Sequence, residues 1–211
     1  MPPRRPQVLL ALVALLALVI ALVALLAGST GERSTSTPAG SAVAGPAFAG
    51  AELPPGTPAP GFVLRDTEGR RVALADYRGR VAVLAFLDSG CAPACVLIAQ
   101  QIRGALDDLS HRVPVLLVSV DPAGDSRARV RAFLSSVGLA GRVRYLLAPA
   151  AALAGVWRAY RVITPSAGRA AFERAASVLL IDRAGHERVI FQQEQLTPEA
   201  LAQDIGKLER G

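Results

Sequence analysis

Apolar residues are not spread evenly along this chain. From Val8 to Ala27 every residue is Ala, Val, Leu or Ile. A helix of about twenty such residues spans roughly 30 Å, the hydrocarbon thickness of a bilayer. From Gly28 to about residue 57 the pattern disappears into Gly, Ser, Thr, Pro and Ala, with too little bulk to build a core. Beyond Pro58 it returns in short periods. FVLRDTEGRRVAL reads as two short strands around a polar turn at Asp66 to Gly69. VAVLAFL (81–87) and VPVLLVSV (113–120) are continuous apolar runs, the signature of buried central strands. VRYLLA predicts a third strand, and SVLLID and ERVIFQ flank the turn RAGH as a hairpin. Helices are predicted from about Pro93 towards Leu109, through Val137 with Asp125 or Ser126 as cap, from Ala150 to Tyr160, and after Thr197 with Pro198 in its first turn. Strands alternating with helices, then a hairpin and a last helix, define an α/β sandwich.

These divisions give residues 1–7 as a cytoplasmic N-terminus, 8–27 as a transmembrane anchor, 28–57 as a flexible tether and 58–211 as one folded domain. Arg4 and Arg5 precede the apolar run, whereas Glu32 and Arg33 cancel after it. Positive charge stays inside, so the domain is expected outside the cell membrane. A cleaved secretory signal is the alternative, but signal-peptide cores run about 7–15 residues and this run is longer. The formal charge of +6 falls to +4 without Arg4 and Arg5. The basic residues are scattered and lack interleaved aromatics, which argues against a nucleic-acid partner.

Both cysteines lie in SGCAPACV, as Cys91 and Cys95. Cys91 follows the C-terminal end of a central strand and opens a helix, the place where open α/β sheets set their chemistry. One helical turn apart, the two Cα atoms would lie about 6 Å from each other, within disulfide range. The amides and dipole of a helix N-terminus favour a thiolate at Cys91, expected to be the more exposed and attacking thiol. The pair can exchange electrons with another dithiol or hold a soft ion such as Cu(I). A structural staple is the plainer reading, but a bridge closing so short a loop restrains the unfolded chain little.

The stretch APGFVLRDTEGRRVALADYRGRVAVLAFLDSGCAPAC resembles the opening of redoxin-type thioredoxin folds. The cysteine spacing, together with SVDPAGDSRARVRAFLSSVGL, ALAGVWRAYRV and SVLLIDRAG, is similar to the SCO/SenC family, whose members assemble the copper centre of cytochrome c oxidase. The resemblance covers most of residues 57–208. It implies a thioredoxin-like domain in which Cys91 and Cys95 exchange disulfides and bind copper. The implied partner is an oxidase subunit or another exported thiol protein, and the implied role is thiol:disulfide oxidoreductase or copper chaperone rather than metabolic enzyme.

Two departures stand out. Ala92 and Val96 occupy positions where the family usually has proline after each cysteine. The family's third copper ligand, a histidine before the strand matching SVLLID, is absent, with Arg174 nearest its position and no histidine between His111 and His186. His111 precedes a strand about 26 Å long and His186 sits in the hairpin turn, so both are expected at the end opposite the cysteines. Asp88 is expected to cap the cysteine loop rather than take a proton, and Asp121 to border the site. Arg174 would favour a thiolate if directed inward, and Trp157 and Tyr160 are expected to be core residues.

Other classes fit less well. A peroxiredoxin would want Thr or Ser three residues before its reactive cysteine and proline seven before, where this chain has Asp88 and Leu84. A cytochrome-maturation thiol reductase would carry a closer cysteine pair preceded by tryptophan. A general exported thiol:disulfide oxidoreductase without copper, or a tethered binding module with a passive disulfide, remains the alternative.

Overall fold

The computed structural model describes residues 48–91 and 93–211. The expected anchor and most of the expected tether fall in residues 1–47, outside the described residues, as does Ala92. No helix among the described residues is long and apolar enough to cross a membrane.

In chain order the elements are β1 (Ala51–Glu52), β2 (Val63–Asp66), β3 (Arg71–Ala73), β4 (Ala82–Leu87), α1 (Ala94–Asp108), β5 (Val115–Ser119) and α2 (Arg127–Ser136). There follow β6 (Arg144–Leu147), α3 (Ala150–Ala159), α4 (Arg169–Ala175), β7 (Ser177–Ile181), β8 (Glu187–Gln192) and α5 (Pro198–Arg210). The strands form one mixed sheet in the order β1-β8-β7-β4-β5-β6-β2-β3. β4, β5 and β6 are parallel, and every other pairing is antiparallel.

The apolar runs sit where their pattern demands. β4 and β5 are buried along their whole length, because neighbours flank both edges and helices cover both faces. α1 buries Cys95, Ile98, Ala99, Ile102 and Ala105, a stripe at helical spacing. Its Gly104 faces α5 so closely that an added Cβ would lie 2.7 Å from the Pro198 ring, so only glycine admits that approach. α5 starts as expected, with the Thr197 hydroxyl accepting the Ala200 N–H at 3.2 Å and Pro198 in the first turn.

The folded part begins earlier than Pro58. β1 pairs with β8, and buried Asp204 on α5 accepts the N–H groups of Ala49 at 2.8 Å and Gly50 at 3.0 Å. Residues 48–57, which composition alone assigns to the tether, are therefore part of the domain. Their Ala-, Gly- and Pro-rich make-up, with only Phe48 and Leu53 as large apolar side chains packed on the core, hid a segment held largely through its backbone.

Candidate functional site

Three parallel strands end at the same edge of the sheet, each feeding a helix. β4 leads through Asp88–Cys91 into α1, β5 through Asp121–Ser126 into α2, and β6 through Pro149 into α3. A lateral bond from Val120 N–H to Leu87 O at 3.1 Å ties the first two loops together.

Cys91 and Cys95 form a disulfide across the start of α1, with Cα atoms 5.4 Å apart. Pro93 stands as the N-cap of α1, so the helix begins at Ala94, one residue after the expected start. The Cys95 N–H points at Cys91 Sγ from 3.3 Å, one of the helix-terminal donors that have no partner within the helix. Such an amide stabilises negative charge on that sulfur once the bridge is reduced. Exposure differs from expectation. Cys91 is only 1% exposed and Cys95 is 0% exposed, because the loop folds back into the core.

Asp88 is the cap that the loop requires. It is buried, its Oδ1 accepts the Gly90 N–H at 2.8 Å, and its Oδ2 pairs with Arg169 Nη1 at 3.0 Å. Arg169 opens α4, a short helix with no counterpart among the elements expected from sequence. Phe172, buried one turn later, anchors that helix to the core. Arg174 lies on the same helix but is exposed, so Arg169 is the guanidinium that reaches the cysteine loop.

Of the two expected cap candidates, Asp125 and Ser126, the structure selects the second. The α2 cap is Ser126, whose hydroxyl accepts the Arg129 N–H at 3.2 Å. Asp125 instead turns inward, 5% exposed, and collects donors from three elements. Its Oδ1 accepts the Ser89 N–H at 2.7 Å and the Ser89 hydroxyl at 2.6 Å. Its Oδ2 accepts the Ser119 hydroxyl at 2.6 Å and the Tyr145 hydroxyl at 2.8 Å. Burial, then the charge of Asp125, pushes the Tyr145 phenol well above its ordinary value, so it stays a neutral donor. The signal was available: a tyrosine inside a buried strand must find a partner for its hydroxyl.

The other candidates take structural places. Asp121 Oδ1 accepts the Gly124 N–H at 3.1 Å and shapes the turn after β5. Trp157 donates to Ser119 O at 2.9 Å and Tyr160 to Pro60 O at 2.8 Å, both packed against the core. His111 pairs with Glu209 at 2.8 Å before β5, and His186 lies in the β7–β8 turn with its N–H on Asp182. Among the described residues no three His, Cys, Asp or Glu side chains cluster as a metal site. Two sulfurs are the donor set here, which suits a soft monovalent ion only after reduction.

A mixed sheet whose central strand ends in a cysteine pair at a helix N-terminus defines the thioredoxin-like class. Solved structures share the fold. Apo Sco1 of Thermus thermophilus matches with a TM-score of 0.63 at 18% identity, over 77% of this chain and 97% of that one. Copper-bound ScoI of Bradyrhizobium japonicum matches with a TM-score of 0.55 at 24% identity, over 72% and 99%. The family model described as SCO1/SenC matches residues 52–210, and the chain belongs to that family. Among curated proteins, the thiol-disulfide oxidoreductase ResA of Bacillus subtilis is 33% identical over 93 residues, 44% of this chain and 50% of its own length. A Mycobacterium tuberculosis protein named as a peroxiredoxin is 34% identical over 87 residues, 41% of this chain and 54% of its own. The chain thus matches about half the length of these curated relatives.

Proposed function

We propose that this protein is a membrane-anchored, extracytoplasmic member of its family that exchanges disulfides through Cys91 and Cys95 and serves copper-centre assembly in cytochrome c oxidase. The carrying observation is the disulfide across the first turn of α1 with the Cys95 amide on Cys91 Sγ. In the reduced domain the Cys91 thiolate attacks a client disulfide, and the departing client sulfur takes the electron pair. Cys95 then attacks Cys91 Sγ, releasing the second client thiol and restoring the bridge. Two electrons and two protons pass to the client. Because both sulfurs are buried, the 88–91 loop must open for exchange, and the Asp88–Arg169 pair is, with the Asp125–Ser89 bonds, one of the contacts that hold it shut.

Copper enters this reading as cargo. Two thiolates hold Cu(I), whereas Cu(II) favours added nitrogen or oxygen donors, and the family's histidine is missing between His111 and His186. One Cu(I) per reduced domain and weak Cu(II) binding are expected. The anchor rests on the uncharged run Val8–Ala27 with Arg4 and Arg5 on one side.

Trapping tests the exchange chemistry. A Cys95→Ser variant should accumulate mixed disulfides through Cys91, and trapping through Cys95 in the Cys91→Ser variant alone would reverse the assigned roles. Protease added to cells stripped of any outer barrier should digest the domain, and a protected domain would exclude the proposed topology.

A further inference from the structure

The β7–β8 ladder slips in register between Leu180 and Ile181, which brings Glu187 opposite Ile181. A register slip of this kind re-aims a side chain. Glu187 lines the same cavity as Leu179 and Ile190 and is only 6% exposed. Its main-chain N–H is taken by Thr57 O at 2.9 Å. Its carboxylate receives no hydrogen bond among the described residues. Burial pushes the group up, opposed by the charge of Arg161 acting through space. Neither carboxylate oxygen is sealed from solvent, so both open onto the cavity without a protein donor, where a ligand's donors can take the place of water.

The cavity holds about 210 Å³ and is also walled by Phe86, Tyr160 and Phe172. Arg161 lies at its mouth, exposed, and is the one non-glycine among the described residues with positive φ, at 54°. That conformation costs on the order of 1–2 kcal/mol. It closes the end of α3, where the Val162 N–H bonds Trp157 O at 2.8 Å, and turns the chain back over the sheet.

The walls specify a ligand: a carboxylate without a protein donor, aromatic rings beside it and an exposed guanidinium. An ammonium group would give Glu187 its missing donors and gain from the ring faces. A carboxylate at the other end would meet Arg161. The volume matches about seven waters at roughly 30 Å³ each, enough for a short carbon chain and too small for a nucleotide. We propose that this cavity binds a compact zwitterion of the amino-acid type, ammonium inward at Glu187 and carboxylate at Arg161. The site is separate from the cysteines, with α4 between them: Phe172 lines the cavity, while Arg169 reaches Asp88.

Calorimetric titration of the full-length protein in detergent with 6-aminohexanoate tests it. One saturable site is expected, with binding at least about tenfold weaker in Glu187→Gln. Arg161→Gly keeps the left-handed turn and removes the guanidinium. It should weaken 6-aminohexanoate while leaving hexylamine unchanged. Retention of the Cys91–Cys95 disulfide in each variant confirms the fold. The proposal is overturned by the absence of saturable binding at millimolar 6-aminohexanoate, by equal binding of hexanoate, or by undiminished binding to Glu187→Gln.

Discussion

Two buried aspartates organise two loops of this sheet in opposite ways. Asp66, at the end of β2 in the hairpin with edge strand β3, accepts main-chain N–H groups from Glu68 at 3.1 Å and Arg70 at 2.9 Å. It also pairs with two guanidinium groups, Arg70 Nε at 2.9 Å and Arg144 Nη1 at 2.6 Å. Asp125 receives as many contacts beside the cysteine loop, but all from neutral donors: one amide and three hydroxyls. At the edge hairpin the carboxylate's charge is cancelled by cations. At the cysteine loop it is held by neutral donors alone, two of them from Ser89 in the loop that carries Cys91, whose redox state depends on local charge. The first arrangement is built for stability alone, the second for a loop whose electrostatics matter.

Substituting each aspartate separates the two roles. Asp66→Asn should cost about 2 kcal/mol in denaturant unfolding and leave the disulfide potential unchanged. Burial alone would raise the Asp66 carboxyl, but the Arg70 and Arg144 bonds outweigh it and hold it below 3.8. A carboxyl lowered in the folded state contributes stability that is full above its unfolded value and lost as pH falls through the folded one. Acid unfolding of the wild type should therefore be steeper than that of Asp66→Asn. Asp125→Asn should cost about 1 kcal/mol but raise the Cys91–Cys95 potential by about 30 mV, since less negative charge bonded to the cysteine loop favours the dithiol. Equal potentials in the two variants would make Asp125 merely structural.

The smallest effect belongs to the Asp88–Arg169 pair. Arg169 is 47% exposed, so Arg169→Gln should change stability by less than about 1 kcal/mol. It should instead speed exchange at Cys91 severalfold by freeing the loop, measured as alkylation of the reduced protein or its reaction with a small disulfide. An unchanged rate would mean that α4 does not gate the cysteines.

The central strands, their helices and the cysteine address were legible because burial imposes a strong pattern on VAVLAFL, VPVLLVSV and the α1 stripe. Three features were not. Asp125 and Ser126 are adjacent and both suit an N-cap, and only the three-dimensional demand of Tyr145 and Ser89 decides which turns inward. α4 is a two-turn helix with a single apolar anchor, Phe172, too short for periodicity to register. Residues 48–57 join the fold through backbone bonds to Asp204 and β8 and through only two large apolar side chains, Phe48 and Leu53, too few for composition to register.

The reduction potential of the Cys91–Cys95 pair, taken by equilibration of the full-length protein with a glutathione or dithiothreitol series, tests the central claim most directly. A working exchange pair predicts a value above about −300 mV, reversible between buffers. A value well below that, resistant to reduction, would identify the bridge as a passive staple and remove disulfide exchange from this protein's function.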